Sequence, residues 1–180
     1  FHLLREHTYT RPRRPLIVFT PKQLLRLKAA CSPVEDFTSG TFQPVIGETD
    51  DAVLAAARKQ GVDRVLLCSG RVYYDLLAHR TKTGDTSTAI VRLEQLYPLE
   101  SSAIAEALAP FSGAELVWVQ DEPANQGMWP YLALNLPTDL TGGVLPTLVS
   151  RPEAAAPAVG TAGVHRAQQE EILRQAFARH

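Results

Sequence analysis

Cysteine is nearly missing from this chain: Cys31 and Cys68 are the only two in 180 residues, too few for a disulfide framework. Cys68 falls inside an apolar run, where a small buried hydrophobe is the favoured reading over a reactive thiol, and a reducing cytoplasm suits both residues. No apolar stretch approaches the roughly 20 residues of a membrane-spanning helix, and no secretory signal is visible at the start. Charge of one sign is not in excess either. With 18 Lys and Arg against 19 Asp and Glu the formal charge is -1, so the basic stripe that nucleic acid or an anionic membrane would need is not there. Gly-x-Ser-x-Gly, Gly-x-Gly-x-x-Gly and Walker loops are all missing, which leaves no sequence basis for a free-standing hydrolase, dehydrogenase or kinase. The five histidines, His2, His7, His79, His165 and His180, stand without the spacing of a zinc site, and His79 and His165 read as structural.

What is present describes an ordinary globular protein. An apolar fraction of 45% and a charged fraction of 21% allow a proper core, read as one domain with an attached segment. Residues 1–7 look helical, with Phe1 and Leu4 one turn apart, yet nothing precedes them that can cap a helix. The expectation is a piece of a longer polypeptide. After a polar break at Thr10-Arg11-Pro12-Arg13-Arg14, the run Pro15-Leu16-Ile17-Val18-Phe19-Thr20 predicts a strand covered on both faces, and Thr20-Pro21 opens a helix through Leu27. Ser32 and Glu35 predict a capping box and a short helix through Phe37. Pro44 marks the extended segment 41–46 as a sheet edge or a linker, and 47–51 is polar throughout.

Beyond residue 51 the rhythm becomes regular. Helix 52–60 stopping at Gly61, strand 64–68, helix 71–79, loop 81–87, strand 89–93, helix 102–109 and strand 115–120 follow one another, then helix 128–134, strand 144–149 and helix 162–179. Strands alternating with helices at this spacing predict an α/β fold of three layers, a mostly parallel sheet with helices on both faces and right-handed crossovers. In the last helix Val164, Ala167, Ile172, Ala176 and Phe177 are expected inward, with Gln168 to Glu171 and Arg174 outward. The stretch 151–160, small and apolar with two prolines, reads as a subunit or interdomain contact.

The stretch from Val117 to Pro130 is the natural place to look for function, because an apolar run there hands over to Asp121, Glu122, Asn125, Gln126, Gly127 and Trp129. Open α/β sheets bind ligands at that carboxyl edge. Adjacent residues on an extended backbone point in different directions, so Asp121 and Glu122 are not assumed to act as a pair. Pairing with arginine, helix capping or loop fixing is the favoured role, and Asn125, Gln126 and Gly127 read as a backbone-fixing turn. Cys68-Ser69-Gly70-Arg71 offers a helix start to an anion, though an ordinary helix entry explains it as well. Arg5, Arg11, Arg13, Arg14 and Lys22 form the one basic cluster; it can hold a phosphate-bearing small molecule or serve as solvated surface charge.

Several segments together carry a family resemblance: Phe1-His2-Leu3-Leu4-Arg5, Arg14 to Lys22, Leu66 to Leu77, Val91 to Pro98, Gln120 to Trp129, Ser150-Arg151-Pro152 and Val164-His165. In these the chain resembles the C-terminal part of the thiamine-diphosphate-dependent first component of the 2-oxoglutarate dehydrogenase complex, and Ser32 to Phe37 is most similar to the multifunctional actinobacterial form. The resemblance implies the tail of a pyrimidine-binding domain at 1–31, a connector at 32–51, and a transketolase C-terminal domain at 52–180 with five strands, one antiparallel. It implies an intact enzyme that decarboxylates 2-oxoglutarate and passes the succinyl group to a lipoyl carrier, using thiamine diphosphate and Mg2+ held outside this chain. The family's Gly-Asp-Gly and paired asparagines are missing here, where the nearest string is Gly84-Asp85-Thr86, so no catalytic or cofactor-binding residue is expected in this segment. Implied partners are the upstream catalytic domains, a second copy in a homodimer, the lipoyl-bearing succinyltransferase and lipoamide dehydrogenase. A regulatory acetyl-CoA site is expected at Arg5 and Lys22, although Glu100-Ser101-Ser102 stands where some relatives carry basic residues. Two other readings stay open: an acyl-CoA-binding module, and the equivalent domain of another transketolase-like 2-oxo-acid enzyme.

Overall fold

The computed structural model describes residues 1–10 and 14–178, which fall into two compact units, Phe1–Gln43 and Pro44–His180. Arg11, Pro12 and Arg13 of the expected polar break and basic cluster, and Arg179 and His180 at the end of the expected last helix, lie outside the described residues.

The first unit contains helix α1 (His2–Tyr9), two single turns of 3-10 helix (Leu24–Arg26 and Lys28–Ala30) and helix α2 (Val34–Thr38). The Phe1 and Phe37 rings meet at 5.6 Å, and Arg5 donates to the Gly40 carbonyl at 2.6 Å. The strand expected at 15–20 is not formed: Ile17, Val18 and Phe19 are 74, 61 and 92% exposed. A strand is stable only with a neighbour on its ladder, and among the described residues of this unit there is no other strand. The helix expected after Pro21 shrinks to the turn at Leu24–Arg26 for the same want of a packed face. Ser32 does not cap α2, because the helix starts one residue later, after Pro33, with no side-chain cap.

The second unit is built on a five-stranded sheet of β1 (Val45–Ile46), β2 (Arg64–Cys68), β3 (Thr88–Leu93), β4 (Glu115–Pro123) and β5 (Thr147–Arg151). Their order across the sheet is β1-β3-β2-β4-β5, with β1 antiparallel to β3 and the other pairs parallel. Helices α3 (Asp51–Gln60), α4 (Val72–Thr83), α5 (Ser101–Leu108), α6 (Trp129–Asn135) and α7 (Ala162–Ala176) cover it. The fold is the expected α/β sandwich, and the period of two along each strand sorts the core into its layers. Val65, Leu67, Ala89, Val91, Leu93 and Trp118 face Val53 of α3, Ile104 of α5 and Leu132 of α6. Leu66, Cys68, Ile90, Val117, Val119 and Val149 face Val72 and Leu76 of α4 and Ile172 and Ala176 of α7.

The path of the chain decides where a site can form. After β2 the chain crosses by way of α4 to β3 on one side, then returns past β2 by way of α5, on the opposite face, to β4. A reversal of direction combined with a change of face keeps one crossover hand. It also makes the carboxyl ends of β2 and β4 the switch point, where adjacent strands send their helices to opposite faces.

Two buried arginines hold the frame. Arg64 donates to Glu115 at 2.9 and 2.6 Å and to the carbonyls of Gln175 and Ala176, closing the C-terminal end of α7. Arg80 pairs with Glu48, both side chains 3% exposed or less, and Glu48 also accepts the Ile90 N–H of β3 at 2.8 Å. A carboxylate thus continues the ladder where the two-residue strand β1 stops. Glu48 lies in the stretch read as a polar connector, and its sequence neighbours hide that it is buried. The last helix also departs from expectation: Val164 and Ala167 are exposed, while Gln168 and Gln169, read as outward, are half-buried. Between β5 and the first half of α7 the contact is polar, because Gln168 and Gln169 meet Arg151 of the edge strand.

Candidate functional site

The carboxyl edge of the parallel strands is organised by one amide. Gln120 is 3% exposed; its Oε1 accepts from the Trp118 indole N–H at 2.9 Å and the Trp129 N–H at 3.1 Å. Its Nε2 donates toward the Pro123 and Gln126 carbonyls at 3.0 and 2.8 Å. An amide with both ends satisfied fixes β4, the turn after it and the start of α6 as one piece. Gly127 sits against that amide with φ +67°; a Cβ there would stand 3.0 Å from Gln120 Oε1 and from Glu122 Cβ. Asn125 exchanges two hydrogen bonds with Ala154, at 3.1 and 3.2 Å, and Gln126 donates to the same Ala154 carbonyl at 2.7 Å. The turn is thereby tied to the small apolar stretch after β5.

Beside it runs a chain of charges. Arg71, at the entry to α4, donates to Asp75 at 2.7 Å and to Asp121 at 2.8 Å. Gln169 of α7 donates to Asp75 at 3.0 Å and accepts from Arg151 at 3.1 Å, while Gln168 accepts from Arg151 at 3.3 Å. Burial pushes the Asp75 carboxyl up; Arg71 pulls against this and the nearby Asp121 charge adds to it, so the net displacement is upward. Burial also pushes the Cys68 thiol far above its ordinary range, which removes it as a nucleophile.

Of the residues singled out by sequence, Asp121, Gly127 and Trp129 meet in this cluster, Asn125 and Gln126 border it, and Glu122 is exposed at its rim. At the Cys68-Ser69-Gly70-Arg71 helix entry the Arg71 side chain is engaged by the carboxylates of Asp75 and Asp121. Arg5 and Lys22 belong to the first unit, where Arg5 is engaged with Gly40 and Lys22 is exposed. His79 stacks on Phe177 at 4.6 Å. Sequence reading missed Gln120, Arg151 and Gln169. The available signals were an amide two residues after a tryptophan in an apolar run and an arginine closing a strand before proline, and neither has a spacing that marks it.

What this arrangement can do chemically is hold a backbone. Residues 31–177 match the family described as 2-oxoglutarate dehydrogenase C-terminal. The chain belongs to that family. It is 45% identical over 182 residues to the multifunctional 2-oxoglutarate metabolism enzyme of Mycobacterium sp. (strain JLS), covering 99% of this chain and 14% of the relative. It is 43% identical over 180 residues to the 2-oxoglutarate dehydrogenase E1 component of Cupriavidus necator, covering 99% and 18%. The chain therefore spans less than a fifth of the length of these curated relatives. The expected family is found, and among the described residues no helix is long and apolar enough to cross a membrane.

Proposed function

We propose that this chain is the bracing segment of a 2-oxoglutarate dehydrogenase first component. The intact protein decarboxylates 2-oxoglutarate and transfers the succinyl group to a lipoyl carrier; this segment supplies a stiff sheet and no reacting group. The observation that carries the reading is the Arg71–Asp121 ion pair, which bridges the switch-point crevice where an α/β sheet of this kind takes its ligand. A crevice closed by a paired charge positions strands; it does not receive a substrate.

The residues present do not fit thiamine diphosphate and its magnesium ion. Gly84 caps α4 in the left-handed region, and Asp85 of the same string accepts from Ser87 and Thr88 at 2.8 and 2.6 Å. Among the described residues no group of three or more His, Cys, Asp or Glu is placed to hold a metal. The cofactor belongs to other parts of the enzyme, as do contacts with the succinyltransferase and lipoamide dehydrogenase. Homodimer formation and a cytoplasmic setting complete the reading.

Asp121→Asn in the full-length enzyme tests it. The expected result is a lowered melting temperature with the KM for 2-oxoglutarate unchanged and kcat within about threefold of the parent, since a brace adds little in the transition state alone. A loss of kcat of a hundredfold at unchanged stability would remove the bracing role. Titration of acetyl-CoA into the same protein and its Arg5→Ala and Lys22→Ala variants tests the regulatory reading: a common loss of binding supports it, and equal binding in all three sinks it.

A further inference from the structure

The acids at the carboxyl edge are unevenly shared. Arg71 holds both Asp75 and Asp121, whereas Arg151, 5% exposed, has no carboxylate within ion-pair distance among the described residues. Its two contacts are neutral amide oxygens, one of them long at 3.3 Å to Gln168, and its Nε is buried without a partner. Counted together the two arginines and two aspartates cancel, yet Asp75 reaches Arg151 only through Gln169. A guanidinium taken out of water and met by neutral groups is costly, and a carboxylate brought to it recovers charge-assisted hydrogen bonds.

Arg151 also lines a groove of about 560 Å³ between β5 and the first half of α7. The volume lies in the range of small-ligand sites, on the order of 300–1,000 Å³. Leu148, Pro152, Val164 and Ala167 give it apolar walls, and Gln168, which also lines it, accepts from the guanidinium. The one acid on its rim, Glu171, is already held by Arg174 at 2.7 and 2.5 Å. We propose that this groove binds a small aliphatic monocarboxylate, whose carboxylate displaces the Gln168 amide from Arg151 and whose chain lies along Leu148, Val164 and Ala167. A single cation among apolar walls selects one carboxylate and an aliphatic body; a dicarboxylate would strand its second charge. The site shares Arg151 with the chain of contacts that runs through Gln169 to Asp75, and it needs no cofactor.

The test is ligand-observed saturation-transfer NMR on the full-length protein with hexanoate, with hexan-1-ol and hexylamine as controls. Hexanoate is expected to bind at least tenfold more tightly than either control. Arg151→Gln is expected to abolish that preference. Because Arg151 is buried and its loss can disturb folding, Ala167→Trp serves as the second variant: it starts from an exposed helix position, leaves Arg151 in place and fills the groove. It is expected to weaken hexanoate at least tenfold. Equal binding of hexanoate and hexan-1-ol, unchanged binding in Ala167→Trp, or no binding to the parent protein because another part of the polypeptide covers the groove, each overturns the proposal.

Discussion

Ile17, Val18 and Phe19 of the first unit stand largely in the open, whereas Val65, Leu66 and Leu67 of the second are 1% exposed or less. The two runs have the same apolar character and similar length. The difference is company: Val65 to Leu67 lie between two parallel neighbours and under helices on both faces, so every backbone group and every side chain has a partner. Among its described residues the first unit holds no buried side chain at all. Apolar content drives burial only where other elements supply a surface to be buried against, and so stability is concentrated in the sheet and its buried polar ties.

That contrast can be broken most forcefully at Glu48. Glu48→Ala removes the closer carboxylate from buried Arg80, leaving it only Asp50 at 3.6 Å, and frees the Ile90 N–H, and the expected loss is about 3–5 kcal/mol by urea unfolding. A loss below about 1 kcal/mol would mean that the pair contributes little to the frame. Next comes Gln120→Ala, which strands the Trp118 indole N–H, the Trp129 N–H and the Gln126 carbonyl; about 2–3 kcal/mol is expected, with a change in tryptophan emission as a second readout. Gly127→Ala follows, at roughly 1–2 kcal/mol, from the left-handed backbone and the crowding against Gln120.

Asp75→Asn sharpens the comparison through pH. The folded carboxyl titrates above its ordinary value, so its ionisation weakens the fold: the loss begins as pH rises past the unfolded value of about 4 and is complete above the raised folded one. Asp75→Asn is expected to remove that slope and to change stability at pH 7 by no more than about 0.5 kcal/mol, because the lost attraction to Arg71 and the relieved burial of the carboxylate offset each other. A slope of opposite sign in the parent protein would show that Arg71 outweighs burial. The smallest effect is expected in the first unit, where Phe19→Ser should stay within about 0.5 kcal/mol because its ring is exposed.

Much of the second unit was legible in the sequence. Strand β2 falls where the apolar run predicts it, β3 and β4 start within a residue of expectation, and α3 stops at Gly61, whose φ of +81° suits glycine. Pro44 left an edge or a linker open within a stretch read as connector, and the structure makes it an edge: its carbonyl receives Glu94 and Gln95 while its missing N–H removes nothing from the ladder. The candidate site was legible in location but not in content. Asp121 stands at the carboxyl edge as expected, but its partner Arg71 is 50 residues away. Gln169 reaches Asp75 across 94 residues. Nothing local in either sequence announces the other.

The amino acids by themselves determined the order of helices and strands in the second unit, the two-sided burial of its central strands, and the family to which the chain belongs. These follow from period, turn chemistry and consecutive identity, all of which act over short separations. Only the tertiary structure decided which apolar run is buried, that Glu48 is interior, that Arg71 takes two carboxylates and that Arg151 takes none among the described residues. Such assignments depend on which charges and faces the crossovers bring together, and that is a property of the packed sheet rather than of any segment of it.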